Sequence, residues 1–270
     1  MALVVVGYVK SRPGATTTAL GLAAVLPEAA RPIVVECDPG GGDLAARHGL
    51  TVSPGLVELA TATRVTDRPA PTRALVAERA EVLARFAQRV RVGDREVDVV
   101  AAPPGGAQTR VALSVLARPG HGTLADADRV VIADCGRLDY SSPARPLLAM
   151  ADAVLVLVRG RLDELAHLRA HAPVLATAAH ERLVMVLAAG GVYRAEDVAQ
   201  ELAAGGDELP VRGPLPYDER SAAVLEGQRT AGRRWRRWPL FAALDQLTAG
   251  WHVTSSPAPL PAAPVDAGVV

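Results

Sequence analysis

A short segment near the start of the chain carries residue types suited to binding an anion. Residues 7–20 read GYVKSRPGATTTAL, so a glycine and three threonines follow an apolar run and precede a helical pattern. Backbone N–H groups at the start of a helix, together with hydroxyl side chains, bind phosphate oxygens and the Mg²⁺ ion that accompanies them. The segment indicates a phosphate-binding loop, although an ordinary strand-to-helix turn also favours glycine and an N-capping threonine.

The lysine of such a loop is displaced. Loops of the form GxxxxGK[ST] place a lysine directly after the second glycine, where it reaches the phosphates. Here Gly14 is followed by Ala15, Thr16 and Thr17, and Lys10 stands four residues before Gly14. Of the 29 cationic residues, 28 are arginine, so the single lysine either has a chemical reason or is an ordinary surface residue that occurs by chance.

The segments around the loop alternate between strands and helices. Continuous apolar runs and 3.6-residue periodicity predict one α/β domain over residues 1–250, a doubly wound, mostly parallel sheet with helices on both faces. The Pro/Ala-rich residues 251–270 are expected to be a disordered tail. The predicted strands are 2–8, 32–37, 95–103, 128–136, 152–160 and 182–191, and the predicted helices are 16–26, 54–62, 72–88, 106–117, 141–151, 162–178, 194–204 and one beginning at Pro239.

Several pieces of the sequence resemble the MinD/ParA family of P-loop ATPases. The first loop resembles the family's deviant Walker A motif, K-G-G-x-G-K-[ST]-[ST]: Lys10 stands for the signature lysine, Ser11 and Arg12 replace two glycines, and Ala15 replaces the P-loop lysine. The other matching segments are VVECDPGGGDLAARHGL (34–50), VVIADCG (130–136), ADAVLVLVRG (151–160) and GPLPYDERSAAVLEG (213–227). The resemblance covers residues 2–250 and implies a P-loop NTPase fold.

This resemblance implies roles for individual residues. Thr16 would hold Mg²⁺, Asp134 would order the ion through water, and Asp38 would lie near the γ-phosphate and the attacking water. Lys10 would reach across a nucleotide-sandwich homodimer to the partner's phosphates, which makes Lys10 and Asp38 the catalytic candidates. The implied cofactors are ATP and Mg²⁺, and the nucleotide-binding candidates are Lys10, Arg12, Gly14, Ala15, Thr16 and Thr17.

The departures from the family pattern leave alternatives open. Ala15 removes a cation from beside the phosphates, which predicts weaker nucleotide binding by a few kcal/mol. Arg12 is either a substitute cation or a solvated loop arginine. Glu36 replaces the first acid of the family's D-x-D and either helps orient water or is a solvated turn residue. No asparagine follows RLVMVL, where the family often has one that reads adenine, so the base specificity is open.

Positive charge is concentrated in one later segment, GRRWRRWPLFAALDQLTAGW. Arg233, Arg234, Arg236 and Arg237 precede the terminal helix, where cations gain nothing from the helix dipole. Phospholipid and DNA phosphate are candidate partners for these arginines. The ordinary alternative, which we favour, is a last helix packed on the sheet with an arginine-rich approach.

Other residues carry no catalytic or metal pattern. The histidines lack a third ligand at useful spacing, and Ser141 and Ser142 are interpreted as helix N-cap residues. Zero formal net charge excludes a global field toward nucleic acid or membrane. The two cysteines show no CxxC or disulfide pattern, and no apolar stretch reaches the roughly 18 residues of a membrane span, so we expect a cytoplasmic protein with reduced thiols.

The sequence therefore predicts a nucleotide-responsive dimeric switch with slow ATP hydrolysis, which acts in positioning or partitioning cellular components. The alternative is a pseudo-ATPase, the same fold kept as a scaffold for protein partners without nucleotide turnover. Ala15, Ser11 and Arg12 favour the scaffold, while Lys10 and Thr16, with the two aspartates, favour retained nucleotide binding.

Overall fold

The computed structural model describes residues 3–63, 73–125, 127–179, 182–206, 208–249 and 251. The described strands are β1 (Leu3–Tyr8), β2 (Ile33–Glu36), β3 (Gln88–Val92), β4 (Arg95–Val100), β5 (Val131–Arg137), β6 (Ala153–Arg159), β7 (Leu183–Ala188) and β8 (Val211–Leu215). The described helices are α1 (Ala15–Val25), α2 (Leu44–His48), α3 (Leu56–Ala62), α4 (Arg73–Arg85), α5 (Ala107–Leu116), α6 (Pro146–Met150), α7 (Leu162–Ala179), α8 (Ala195–Ala204), α9 (Glu219–Leu225) and α10 (Pro239–Thr248).

These strands form one eight-stranded sheet in the order β3-β4-β2-β5-β1-β6-β7-β8. Every neighbouring pair is parallel except β3 and β4, which form an antiparallel hairpin at one edge. The sequence prediction of a mostly parallel α/β sheet is confirmed. Because β5 lies between β1 and β2, the carboxyl ends of these three strands meet at the centre of the sheet, where open α/β sheets bind ligands.

The sheet is buried on both faces because alternate residues of its central strands enter two separate cores. In β1, Leu3 and Val5 pack on the face covered by α3 to α8, and Val4 and Val6 pack on the face covered by α1, α2, α9 and α10. Both cores consist mainly of alanine, valine and leucine, as a chain with 3% aromatic residues requires. The fully apolar strands follow from this two-sided burial.

Two predictions about elements need correction. The predicted helix 72–88 ends at Arg85, and residues 88–92 form β3, whose side chains alternate between exposed and buried in a hairpin pattern. Strand β8 is absent from the predicted strands, because its residues VRGPL include a glycine and a proline. The tail prediction falls on residues that, apart from Trp251, lie outside the described part of the chain.

The N-cap interpretation of Ser141 and Ser142 is wrong. Helix α6 begins at Pro146 with Arg145 at its N-cap and no side-chain cap. The Ser141 backbone N–H and hydroxyl both donate to Asp139 Oδ1, each at 2.9 Å, which folds this segment into a turn instead.

The arginine and tryptophan segment packs on the fold. Trp235 is buried, its Nε1 donates to Asp94 Oδ1 at 2.7 Å, and its ring meets that of Phe241 edge-on at 4.6 Å. The Arg236 guanidinium stacks over Trp235 and donates to the carbonyl oxygens of Val25 at 3.0 Å and Ala24 at 3.2 Å, at the end of α1. Arg236 thus caps a helix C-terminus, although like Arg233, Arg234 and Arg237 it is exposed.

Two further findings concern the cysteines and the possibility of a membrane-spanning helix. Cys37 and Cys135 are free and buried. Among the described residues, no helix combines the length and the apolar character that a membrane crossing needs.

Removing the Arg236 side chain should destabilise the fold. Arg236→Ala loses two charged hydrogen bonds to α1 and the stack on Trp235, so we expect the free energy of unfolding to fall by about 1–3 kcal/mol in urea denaturation. Arg237→Ala removes an exposed arginine one residue later and should change it by less than about 0.5 kcal/mol. Equal effects of the two variants would contradict the capping role.

Candidate functional site

The loop between β1 and α1 has the backbone of an anion-binding turn. Gly14 is left-handed, with φ 99°, and its carbonyl accepts the Thr18 N–H at 2.8 Å as α1 begins. Ser11 and Arg12 are also left-handed, with φ 69° and 48°, although they carry side chains. This conformation is one that glycine adopts most easily, and glycines are what the family motif has at these two positions.

An ion pair at the end of β6 supports the strained part of the loop. Arg159 Nη2 donates to the Ser11 carbonyl at 2.8 Å, and Arg159 Nε donates to Glu164 Oε1 at 2.8 Å. The Glu164 side chain is 1% exposed and also accepts the Arg159 backbone N–H at 2.9 Å. A charged pair with one buried member therefore fixes the backbone of the loop to the neighbouring strand.

Two of the predicted metal-site residues lie side by side. Asp134, within β5, is buried, and burial raises the pKa of this carboxyl to about 7, with the charges of Glu36 and Asp38 adding to the effect. Hydrogen bonding from the Thr16 side chain, at the start of α1, opposes the rise, as does the Gly136 N–H at 3.3 Å. Thr16 and Asp134 thus face each other beneath the loop.

Glu36 takes neither of its predicted roles. Its carboxylate is 1% exposed and accepts three backbone N–H groups, from Asp43 at 2.7 Å, Leu44 at 2.8 Å and Ala102 at 2.9 Å. Burial raises the pKa of Glu36 and these hydrogen bonds oppose the rise. Glu36 is a structural residue that joins the ends of β2 and β4 to the start of α2.

Asp38 lies at the rim of the site, after β2. Its Oδ1 accepts the Gly40 N–H at 2.7 Å. Burial raises the pKa of Asp38, and the Gly40 hydrogen bond and the positive charges of Arg12 and Arg110 oppose the rise. Asp38 is thus half-buried, and charged side chains act on its carboxyl group.

A cavity of about 420 Å³ opens beside the loop. Three of the predicted residues, Lys10, Arg12 and Asp38, line it, and Arg12 acts on the Tyr8 side chain, whose pKa burial raises and the charge of Arg12 lowers. Arg12 is exposed at the cavity, a position that fits both a substitute cation and a solvated loop arginine. Beyond them, the lining includes Tyr8, Arg110, Arg137, Asp139 and Ser142.

Comparison with solved structures gives consistent neighbours. The ParA family ATPase of Chlorobium tepidum TLS matches with TM-score 0.65 and 14% identity over 93% of this chain and 98% of that one. The cell division ATPase MinD of Pyrococcus furiosus matches with TM-score 0.64 and 17% identity over 92% and 97%. This chain has a MinD/ParA-like fold. The septum site-determining protein MinD of Pyrococcus horikoshii, complexed with Mg-ADP, matches with TM-score 0.53 and 16% identity over 91% and 93%.

No protein-family model and no curated protein matches the sequence. The likeness of this chain to MinD and ParA proteins is therefore a likeness of fold.

Within this MinD/ParA-like fold, the predicted residues separate into two groups. Thr16 and Asp134 meet beneath the loop, and Lys10, Arg12 and Asp38 surround the cavity above it. The remaining loop positions support the turn: Gly14 supplies its left-handed bend, Ala15 is buried, and Thr17 lies half-buried in the first turn of α1.

Sequence reasoning missed the residues that come from distant elements. Arg110 lies on α5, Arg137 ends β5, and the loop-supporting Arg159 ends β6. In a chain with 28 arginines, no local pattern distinguishes these three from the others. The run DAVLVLVRG does indicate that Arg159 follows a strand, which was the one available signal.

Breaking the Arg159–Glu164 ion pair that supports the loop should destabilise the fold. In Arg159→Ala, the buried Glu164 carboxylate loses its cation, and we expect a loss of about 3 kcal/mol in the free energy of unfolding. Arg161→Ala is the matched control, because Arg161 approaches Asp163 at 3.5 Å with both side chains more than half exposed, so its loss should stay below about 0.5 kcal/mol. Adding Glu164→Gln to Arg159→Ala should restore part of the stability. If the two single variants unfold alike, the loop does not depend on this pair.

Asp134 should make stability depend on pH. An acid whose pKa is raised from 3.8 to about 7 on folding favours the folded state below pH 4, and that contribution is lost as pH rises to about 7. Asp134→Asn removes the cost, so in EDTA at pH 8 the variant should be more stable than the parent by on the order of 2–4 kcal/mol, with the difference shrinking toward pH 4. The control Asp163→Asn should show no such trend. A constant difference across pH would show that Asp134 titrates normally.

Proposed function

We propose that the chain is a nucleotide-binding switch that dimerises around ATP, hydrolyses it slowly and acts in the cytoplasm in positioning or partitioning cellular components. The observation that carries the proposal is Thr16 facing the buried carboxyl of Asp134 at the start of α1, next to a cavity lined by cations. A protein of the same fold, the MinD of Pyrococcus horikoshii, is described as a complex with Mg-ADP.

The loop supports phosphate binding without a lysine at position 15. Helix α1 presents its N-terminal N–H groups toward the loop, and no acidic residue in its first turn competes for them. Lys10 and Arg12 place two positive charges on the cavity wall. Because Ala15 adds no charge, the binding should be weaker than that of a loop with its full set of cations.

The donor set suits Mg²⁺ as well. Thr16 and Asp134 would hold the ion, which supplies positive charge next to the transferring phosphate. An isolated buried carboxyl with a pKa near 7 is costly to ionise, so a divalent cation beside it would be strongly favoured. Asp38, at the rim of the cavity, would accept a hydrogen bond from the attacking water.

Exposed apolar side chains support the homodimer. Leu162, Val192 and Tyr217, which are 72%, 86% and 81% exposed, follow β6, β7 and β8 at the carboxyl edge of the sheet. The loop that carries Lys10 follows β1 at this same edge. A second copy that faced the loop would cover part of this apolar surface, as homodimer interfaces do.

The same site gives one reason for the alternative function. Ala15 is buried and Ser11 occupies a strained position, so the loop has lost features that turnover uses. A pseudo-ATPase scaffold would keep the fold and the loop as a surface for protein partners, without nucleotide turnover.

Calorimetry with ATP and Mg²⁺ should separate the two functions. We expect ATP to bind the parent protein. Thr16→Ala should weaken the binding about tenfold and remove its dependence on Mg²⁺, while Ala15→Lys should strengthen it about tenfold, since one hydrogen bond to a charged group is lost or gained. Thr61→Ala, which removes an exposed hydroxyl bonded within α3, is the control and should bind as the parent does.

The outcomes distinguish the functions clearly. If millimolar ATP does not bind the parent and Ala15→Lys does not restore binding, the switch is excluded and the scaffold remains. If ATP binds, light scattering should show dimers with ATP and Mg²⁺, and Lys10→Ala should lose the dimers and phosphate release. Dimerisation and hydrolysis unchanged in Lys10→Ala would remove the role of Lys10.

A further inference from the structure

Residues from outside the loop also line the cavity. They include Arg110 from α5, Arg137 at the end of β5 and Ser142 from the following turn. None of the three belongs to a motif that the sequence analysis singled out for binding.

The charges of the cavity do not cancel. Four cationic side chains line it, against two acidic ones, Asp38 and Asp139, which leaves a formal excess of two positive charges. Arg110 makes no ion pair within the described residues, although its charge acts on both Asp38 and Asp139. Arg137 approaches Asp139 only at 3.8 Å, with its side chain 53% exposed. Both arginines therefore keep donors available for an anion.

Ser142 gives an independent indication of a ligand. Its side-chain oxygen is buried and has no hydrogen-bond partner among the described residues, and the residue is 7% exposed. The adjacent Ser141 is fully used, since its N–H and hydroxyl both bond to Asp139. A buried hydroxyl without a partner is unfavourable, and an acceptor atom entering the cavity would satisfy it.

We propose that Arg110, Arg137 and Ser142 form an oxyanion subsite that binds a phosphate dianion. Arginine forks suit the oxygens of phosphate, and the serine hydroxyl supplies a further donor. The phosphate is either the terminal group of a bound nucleotide or free inorganic phosphate. Only the first source rests on the function proposed above.

The test uses the full chain and two probes, inorganic phosphate alone and ATP compared with ADP, both measured by calorimetry. Arg110→Ala and Arg137→Ala should each weaken phosphate binding about tenfold, and Ser142→Ala about threefold. Arg118→Ala, which removes an exposed arginine beyond the other end of α5, is the charge-matched control and should stay within about twofold. Ser142→Ala should also leave the melting temperature of the ligand-free protein equal or higher, because it removes an unsatisfied hydroxyl.

The two sources give different results. If the terminal phosphate of the nucleotide occupies the subsite, the three variants also lose the preference for ATP over ADP. If free phosphate is the ligand, phosphate binding falls while nucleotide affinities stay unchanged, and this result stands even when the protein binds no nucleotide. Absence of phosphate binding by the parent protein together with an unchanged ATP preference in all three variants overturns the subsite and leaves the nucleotide proposal intact.

Two controls distinguish a loss of phosphate binding from misfolding of a variant. Circular dichroism checks each variant, and Arg110→Lys and Arg137→Lys keep the charge while removing the planar fork. These lysine variants should bind phosphate more weakly than the parent and more tightly than the alanine variants. Phosphate affinity equal to that of the parent in Ser142→Ala and in both lysine variants would contradict the proposed geometry.

Discussion

The site depends on two acidic side chains that are buried away from water, Glu36 at the end of β2 and Asp134 within β5. Glu36 and Asp134 are opposite each other in the parallel register of the two strands, and Asp38 follows two residues later. Glu36 is satisfied by three backbone N–H groups, so it fixes the surrounding turns. Among the described residues, Asp134 has only the Thr16 side chain and one long backbone contact. The under-satisfied carboxyl makes this part of the sheet favourable for a cation.

The phosphate loop shows how a fold tolerates the loss of favourable residues. Replacing two glycines with Ser11 and Arg12 places side chains in left-handed backbone, which costs on the order of 1 kcal/mol for each residue. The bond from Arg159 to the Ser11 carbonyl, supported by buried Glu164, holds the loop in this shape. The same backbone turn directs Arg12 to Tyr8 and to the cavity. Strain in the loop is thus coupled to the position of a cation at the site.

Sequence patterns predicted those features that depend on residues close together in the chain. The strand, loop and helix around Gly14, and the aspartates that follow β2 and lie in β5, were predictable because each motif spans no more than about ten residues. The hairpin strand β3 was missed because its alternating pattern adjoins a helix without a turn signal, and Ser142 was misread because a serine near a helix start has a common local explanation. Residues brought in from α5, β5 and β6 depend on the strand order, which no single segment encodes.

Position 15 carries no lysine, and the positive charges of the site come from other positions of the chain. At position 15 the chain has a buried alanine, and the helix that begins there packs between the sheet and α10. The cations of the cavity come instead from the loop, from α5 and from β5, and three of them, Arg12, Arg110 and Arg137, are exposed. Ordering such side chains around a ligand costs conformational entropy, so affinity is given up. An anion bound among these side chains would contact three separate elements, which is a physical requirement for a ligand to change the shape of the surface around it.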